Sequence, residues 1–421
     1  MTSKLVTDAF TISKSWSDTL DLSALMREQL TSYLNAPHRI DLVSVGKASI
    51  EMAQSAEQIL GSRVQRRLII TDYDEARSTH DDPEILIGDH PVPGIASLKA
   101  GRALVAFLDA HTHADITLFL ISGGASSLCA WPSPPLNLED LHELWRAALV
   151  AGVNITTLNQ ARAGTSNIAG GAVLRHVKSA SSQSLIMVDN VVSGAQWVAS
   201  GLTYRHEMNA TKFEDLLKQL DLVDTPLGRS LRDAYAHRSR LLTRPITTRH
   251  RNDVIARPDL MHELATAQAR RLGYRIVDMG NRIQGDVTRE SARWSTTLRR
   301  LDGDSEPICL IGAGEVTVRV NGSGTGGRCQ EFAWLMAREL EGLNRETVFA
   351  ARASDGRDFL PGVAGAWVDR TTLQRAARMG LEWTAIASNH DSHRGLEAVR
   401  QLFAGTHTGW NLCDLYFVLA N

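Results

Sequence analysis

Long apolar runs are missing from this sequence. No window approaches 18 uninterrupted apolar residues, so no segment is expected to cross a bilayer. The opening stretch MTSKLVTDAFTISKSW has no apolar core of the kind a secretory leader needs. Cysteine is scarce: Cys129, Cys309, Cys329 and Cys413 stand far apart, which matches neither a disulfide scaffold nor a CxxC metal knuckle. A cytoplasmic, reducing environment is the expectation. None of the 14 histidines shows a metal-ligand spacing such as HExxH. Charge of one sign is also missing. With 45 Lys and Arg against 47 Asp and Glu, the net charge of -2 gives no electrostatic reason to expect nucleic acid or a membrane surface as a partner. Internal repeats and low-complexity tracts are absent as well.

What remains is ordinary globular composition, 43% hydrophobic and 22% charged, which excludes disorder, collagen and a simple coiled coil. At about 150 residues per domain, 421 residues predict two or three domains. Short apolar runs of strand length alternate with segments of helical period. Strands are expected at Asp41–Val45, Arg67–Ile70, Leu118–Ile121 and Ser184–Val188, with a helix over Ile50–Leu60. This rhythm predicts a βαβ sheet with helices on both faces, whose ligands sit beyond the carboxyl ends of the strands. From Gly228 to Arg251 the chain changes character, with seven arginines against one acid, Asp233; the simplest reading is a solvated helix and connector. A boundary is therefore placed near residue 240. Beyond it a helix is expected over Leu260–Leu272, and strands at Tyr274–Met279 and Pro307–Ile311.

Three glycine-containing turns carry the candidate chemistry. The first follows a strand expected over Glu315–Val320: Gly322, Gly324, Gly326 and Gly327 lie just before Arg328 and a helix over Gln330–Ala337. Such a loop at a helix N-terminus can cradle phosphate with backbone amides, and an arginine adds a bidentate donor; a flexible hairpin is the plain alternative. Gly322, Gly324 and Gly327 also satisfy GxGxxG, but no acid ends a strand about 20 residues on, as a ribose site requires. The second turn is Gly46-Lys47, directly after a strand, where a point cation can meet phosphate oxygens although no GxxxxGK[ST] exists. The third is Ser122-Gly123-Gly124, whose serine is a helix cap, a phosphate ligand or a nucleophile; GxSxG is absent. Asp189, Asp355 and Asp358 are candidate Mg²⁺ ligands, with helix or turn capping as the commoner use. His90, in the proline-stiffened GDHPVP segment, reads as a loop histidine bonded to backbone, with acid or base work as the alternative. Cations and amides for phosphates, with carboxylates for Mg²⁺, are what phosphoryl transfer requires.

Several segments occur in an order and spacing that resembles the glycerate 2-kinase family, the MOFRL-type glycerate kinases. They include VSVGKAS at 43–49, GDHPVP at 88–93, LISGGASSL at 120–128, TLNQARAGTSNIAGG at 157–171, GAGEVTVRVNGSGTGGRCQE at 312–331, SDGRD at 354–358 and TGWNLCDL at 408–415. The resemblance implies two α/β domains: a larger Rossmann-like one over 1–240 and a smaller MOFRL-like one over 241–421, with the active site in the cleft between them. It implies transfer of the γ-phosphoryl of ATP, with Mg²⁺, to a hydroxyl of D-glycerate or a related hydroxy acid. Lys47 and Arg328 are then the catalytic cations, expected to converge on the triphosphate. Ser122, Gly123 and Gly124, with Gly322, Gly324, Gly326 and Gly327, hold the nucleotide. Asn159, Arg162, Glu315, Asn411 and Asp414 fall on substrate positions, and Asp189 and Asp355 on metal positions. A homodimer is also compatible with the resemblance.

The sequence departs from the family's pattern in its loops. An acid pair is replaced by Ser193 and Gly194, GPT by Gly201-Leu202-Thr203, GGRN by Gly326-Gly327-Arg328-Cys329, and Trp410 stands where a threonine is usual. The changes predict a divergent member with a different acceptor or weakened activity. Two alternatives follow: an NAD(P)-dependent oxidoreductase of the hydroxypyruvate reductase type, and a ligand-binding paralogue that has lost catalysis.

Overall fold

The computed structural model describes residues 3–35, 37–73, 82–153, 155–189, 194–206 and 208–421. It divides into two compact units. One contains Asp21–Asp189 with residues 194–256, and the other contains the N-terminal stretch through Leu20 with Arg257–Asn421.

Helix α1 (Lys4–Thr19) belongs to the second unit. Ser3 caps it by accepting from the Val6 N–H, and Leu5, Val6, Ala9, Ile12 and Trp16 recur at helical spacing and are buried.

The first unit runs α2 (Leu22–Leu34), β1 (Ile40–Val45), α3 (Ser49–Leu60), β2 (Val64–Thr71), β3 (Ile85–Ile87), α4 (Ile95–Asp109), β4 (Ile116–Ile121), α5 (Ala125–Leu128), α6 (Leu138–Val150), α7 (Ile155–Thr165), β5 (Ser181–Met187), α8 (Ala210–Gln219), α9 (Pro226–Leu241) and β6 (Arg249–Ala256). All six strands are parallel, in the order β3-β2-β1-β4-β5-β6. Every residue of β1 and β4 is buried, as strands covered on both faces require. The order reverses between β1 and β4. That is the switch point at which an open parallel sheet leaves a crevice for ligand, and the Gly46-Lys47 and Ser122-Gly123-Gly124 turns follow those two strands.

The expected boundary at 240/241 differs from the observed one. Strand β6 pairs with β5 and closes the first unit's sheet, so this unit ends at Ala256. Its sequence, RHRNDVIA, is polar because it is an edge strand with six of its eight residues not buried, and it carries no apolar signal. The basic stretch is also less solvated than its composition predicts. Arg238 is buried, donating to the carbonyls of Ser166, Ala169 and Gly170.

In the second unit, α10 (Pro258–Arg271), β7 (Arg275–Asp286), α11 (Val287–Arg300), β8 (Ile308–Thr317), α12 (Arg328–Leu340), β9 (Thr347–Ala353), β10 (Val363–Asp369), α13 (Thr372–Arg378), α14 (Trp383–Ser388), α15 (Ser392–Ala398), β11 (Leu402–Ala404) and β12 (Asp414–Ala420) follow in turn. The sheet order is β11-β10-β9-β12-β8-β7, in which β7 and β8 are parallel and the other neighbours antiparallel. Trp294, Phe332, Phe349 and Tyr416 form an edge-to-face cluster in its core. The strands expected at 307–311 and 315–320 are one strand, β8, that ends at Thr317. Among the described residues no helix is long and apolar enough to cross a membrane.

Candidate active site

In the first unit the turns after β1 and β4 are tied together. The Lys47 N–H donates to the Gly123 carbonyl (2.9 Å), the Ala48 N–H to Ser122 Oγ (3.0 Å) and the Ser122 N–H to the Val45 carbonyl (3.0 Å). Ser122 is fully buried and its hydroxyl fixes the neighbouring turn, so the structure gives it a scaffold role and not that of a nucleophile. Gly46 is required there: a Cβ would lie 2.2 Å from Ser122 Oγ, and its φ is +130°. The result is a half-buried Lys47 held at the switch point. The amide N–H groups of Gly123 and Gly124 donate no hydrogen bond among the described residues and lie beside it. A Cβ on Gly124, which has φ +81°, would stand 3.2 Å from both Lys47 Cγ and His90 Cδ2.

His90 therefore belongs to this cluster. It makes no hydrogen bond to backbone among the described residues, contrary to the expectation for a loop histidine. Although part of the residue is exposed, the packing around its ring, with Lys47 and Arg162 nearby, lowers its imidazole to about 4, so it is neutral near pH 7. Arg162, on α7, has no carboxylate partner and no hydrogen-bond acceptor among the described residues, and burial lowers its guanidinium to about 10. A half-buried arginine without a counterion among the described residues suits an anion, because any carboxylate or phosphate oxygen reaching it offsets a desolvation cost. Asn159 lies three residues earlier on the same helix. It is buried and accepts from Ser200 Oγ (3.0 Å), whose hydroxyl pairs in turn with Ser126 Oγ (2.8 Å). Ala199 and Ser200 both have positive φ, +55° and +52°, a strain that concentrates where ligands are held. In the sequence Ser126 and Ser200 show only as small hydroxyl residues in turns, and the neighbours that set the state of His90 are distant in sequence.

The second unit gathers Arg328, Glu315 and Asp414. Arg328 Nε and Nη2 donate to the two Asp414 oxygens (2.5 and 3.0 Å), Nη1 pairs with Glu315 Oε1, and Tyr416 Oη donates to Asp414 (2.8 Å). Burial alone works against the Arg328 charge, but the two carboxylates hold the guanidinium above its ordinary value. Arg328 opens α12, whose N-terminus is occupied. The buried Asp358 carboxylate accepts from the N–H groups of Cys329 (3.0 Å) and Gln330 (2.8 Å), and burial raises its pKa to about 6. Asp358 is thus a helix cap.

The glycine-rich loop does not present an open phosphate cradle. The Ser323 N–H donates to Asn389 Oδ1 (2.9 Å), Gly324 N–H to the Asn389 carbonyl (2.9 Å) and Thr325 N–H to Asp391 Oδ1 (3.1 Å). A Cβ on Gly322, Gly324 or Gly326 would lie 2.4, 2.5 or 2.1 Å from atoms of Asn389 or Ser392. One on Gly327 would lie 2.2 Å from Asp358. These glycines let the loop pack against residues 389–392 and Asp358. The GxGxxG glycines here serve packing.

Asn411 sits half-buried in the loop before β12. Asp189 follows β5, and Asp355 accepts the Arg357 N–H (2.9 Å), closing a turn. Ser193 lies outside the described residues. Among them no group of three or more His, Cys, Asp or Glu is placed to hold a metal ion. Mg²⁺ bound through one carboxylate, water and phosphate oxygens still fits such a donor set.

A family model described as the MOFRL family matches residues 308–414, and one described as a domain of unknown function (DUF4147) matches residues 6–233. The chain is 30% identical to the glycerate kinase of Bos taurus over 90% of its own length and 83% of that protein's. The chain belongs to the MOFRL-type glycerate kinase family. Against the D-glycerate 2-kinase of Thermotoga maritima, identity is 29% over 90% of this chain and 89% of the relative. The crystal structure of a Thermotoga maritima glycerate kinase superposes with a TM-score of 0.82 at 26% identity, covering 99% of each chain.

Proposed function

We propose that the chain is an ATP-dependent kinase that transfers the γ-phosphoryl group of ATP to a hydroxyl of D-glycerate or a related small hydroxy acid. The observation that carries this reading is the gathering of Lys47, Arg162 and a neutral His90 at the β1/β4 switch point, in a chain aligned along nine-tenths of its length with a D-glycerate 2-kinase.

The acceptor hydroxyl oxygen forms the new bond to the γ-phosphorus as the bond to the β–γ bridging oxygen breaks, ADP departs and the hydroxyl proton is released to water. Lys47 and the Gly123 and Gly124 amides stabilise the charge on the phosphoryl oxygens. Neutral His90 accepts the hydrogen bond of the attacking hydroxyl without adding a third positive charge. Arg162 binds the acceptor's carboxylate, and Asn159 orders the Ser200 and Ser126 hydroxyls beside it. In the second unit, Arg328 has its charge balanced by Glu315 and Asp414. Mg²⁺, held through Asp189 or Asp355, would neutralise phosphate charge. The test is formation of ADP together with a phosphorylated acid, identified by ³¹P NMR, over a panel of three- to six-carbon hydroxy acids. Ligand binding without phosphorylated product from any of them would replace this reading with that of a non-catalytic paralogue.

A further inference from the structure

The cavity that Arg162 enters is wholly within the first unit and is mostly apolar. Its wall is formed by Trp131, Leu141, Leu144 and Leu202, while Ser126 and Ser200 supply hydroxyls beside Arg162. It reaches the catalytic cluster through Val45, which ends β1, and Ala125, which follows the Ser122–Gly124 turn. Glycerate, with three carbons and three oxygenated groups, leaves such a wall uncovered. Its carboxylate satisfies Arg162, and its hydroxyls satisfy the serines, but nothing on it touches the leucines. Leu202 and Leu144 are buried, so their faces toward the cavity are desolvated already and gain contact only from an apolar group.

We infer that the preferred acceptor is a 2,3-dihydroxy acid bearing an apolar substituent of a few carbons on C3, its carboxylate on Arg162 and its substituent against Trp131, Leu141, Leu144 and Leu202. This deepens the kinase reading, on which it rests for the reaction but not for the binding. Arg162 fixes the acid end, the serines order the hydroxyls, and the apolar wall sets the length of the rest. The departure of this sequence at Gly201-Leu202-Thr203 places Leu202 in the lining of this cavity, so it bears on acceptor choice and not on phosphate handling.

Calorimetric binding of 2,3-dihydroxypropanoate, 2,3-dihydroxybutanoate and 2,3-dihydroxy-4-methylpentanoate to the whole protein, without ATP, tests the inference. Affinity is expected to rise along the series, by about tenfold or more from first to last, as one to three apolar carbons fill a preformed pocket. Leu141→Ser, at a half-buried wall position, should collapse that ratio toward one. Arg162→Met should weaken all three acids alike and leave the ratio. If folding of either variant fails, Leu141→Ala and Arg162→Lys give the same readings. Equal affinities along the series, or a preference for the three-carbon acid, overturn the inference even if that acid is phosphorylated. A rising series without phosphorylated product leaves the pocket assignment standing and removes the kinase reading.

Discussion

Tyr274 donates a 2.7 Å hydrogen bond to the carboxylate of Asp8, a residue 266 positions earlier, and both side chains are buried. Helix α1 is thereby tied to the second unit, where Phe10 also packs edge-on to Trp367 and Phe403 and Ser13 accepts from Arg352. Tyr274→Phe leaves a buried carboxylate without its donor. A loss of about 1–3 kcal/mol in urea unfolding is expected, and Asp8→Leu in the same background should restore part of it. Equal stability of the single variant and the parent would show that α1 is held by its apolar face alone.

On the kinase reading, Lys47, half-buried at the β1/β4 switch point, acts on the phosphoryl group. Lys47→Ala should lower kcat about 100-fold or more at saturating ATP, the scale on which one positioned electrostatic donor acts. Its melting temperature should stay near that of the parent. A variant as active as the parent takes Lys47 out of the mechanism.

For His90, the folded imidazole is lowered to about 4 from an ordinary 6.5. Between those values the unfolded chain binds more protons than the folded one, so this group's contribution to stability rises with pH across that window and is flat above it. The stabilisation is present above 6.5 and lost as pH falls through about 4. His90→Gln should flatten that part of the stability profile. Proton NMR of the His90 ring should show no titration near 6.5; an ordinary midpoint would place the ring in open solvent, away from Lys47 and Arg162.

The loop glycines separate packing from phosphate binding. Gly324→Ala sets a methyl group 2.5 Å from the Asn389 carbonyl oxygen. It should destabilise the protein before any nucleotide is added, by about 1–3 kcal/mol. Unchanged stability with weakened ATP binding would return the loop to the nucleotide.

Much of the site was legible from local pattern. The turns at Gly46-Lys47 and Ser122-Gly124 follow apolar runs so continuous that only buried parallel strands fit them, and ligand-binding turns follow such strands. Asn159 and Arg162 share a helical face at a spacing of three. Asp358, by contrast, was legible only as an acid in a turn, because the amides it caps lie 28 and 29 residues away.

By itself the sequence determined the alternation of strand and helix, the burial of β1 and β4, and the placing of a lysine and glycines at strand ends, since these depend on neighbours within a few residues. Tertiary structure alone decided that α1 joins the second sheet's unit, that the polar β6 completes the first, and that Asn389 and Asp391 take the loop amides. It also decided that Arg162 lies near His90 without a counterion among the described residues. Each of these turns on partners tens to hundreds of residues apart, and local propensity carries no information about which distant group reaches a given hydrogen-bond donor or charge first.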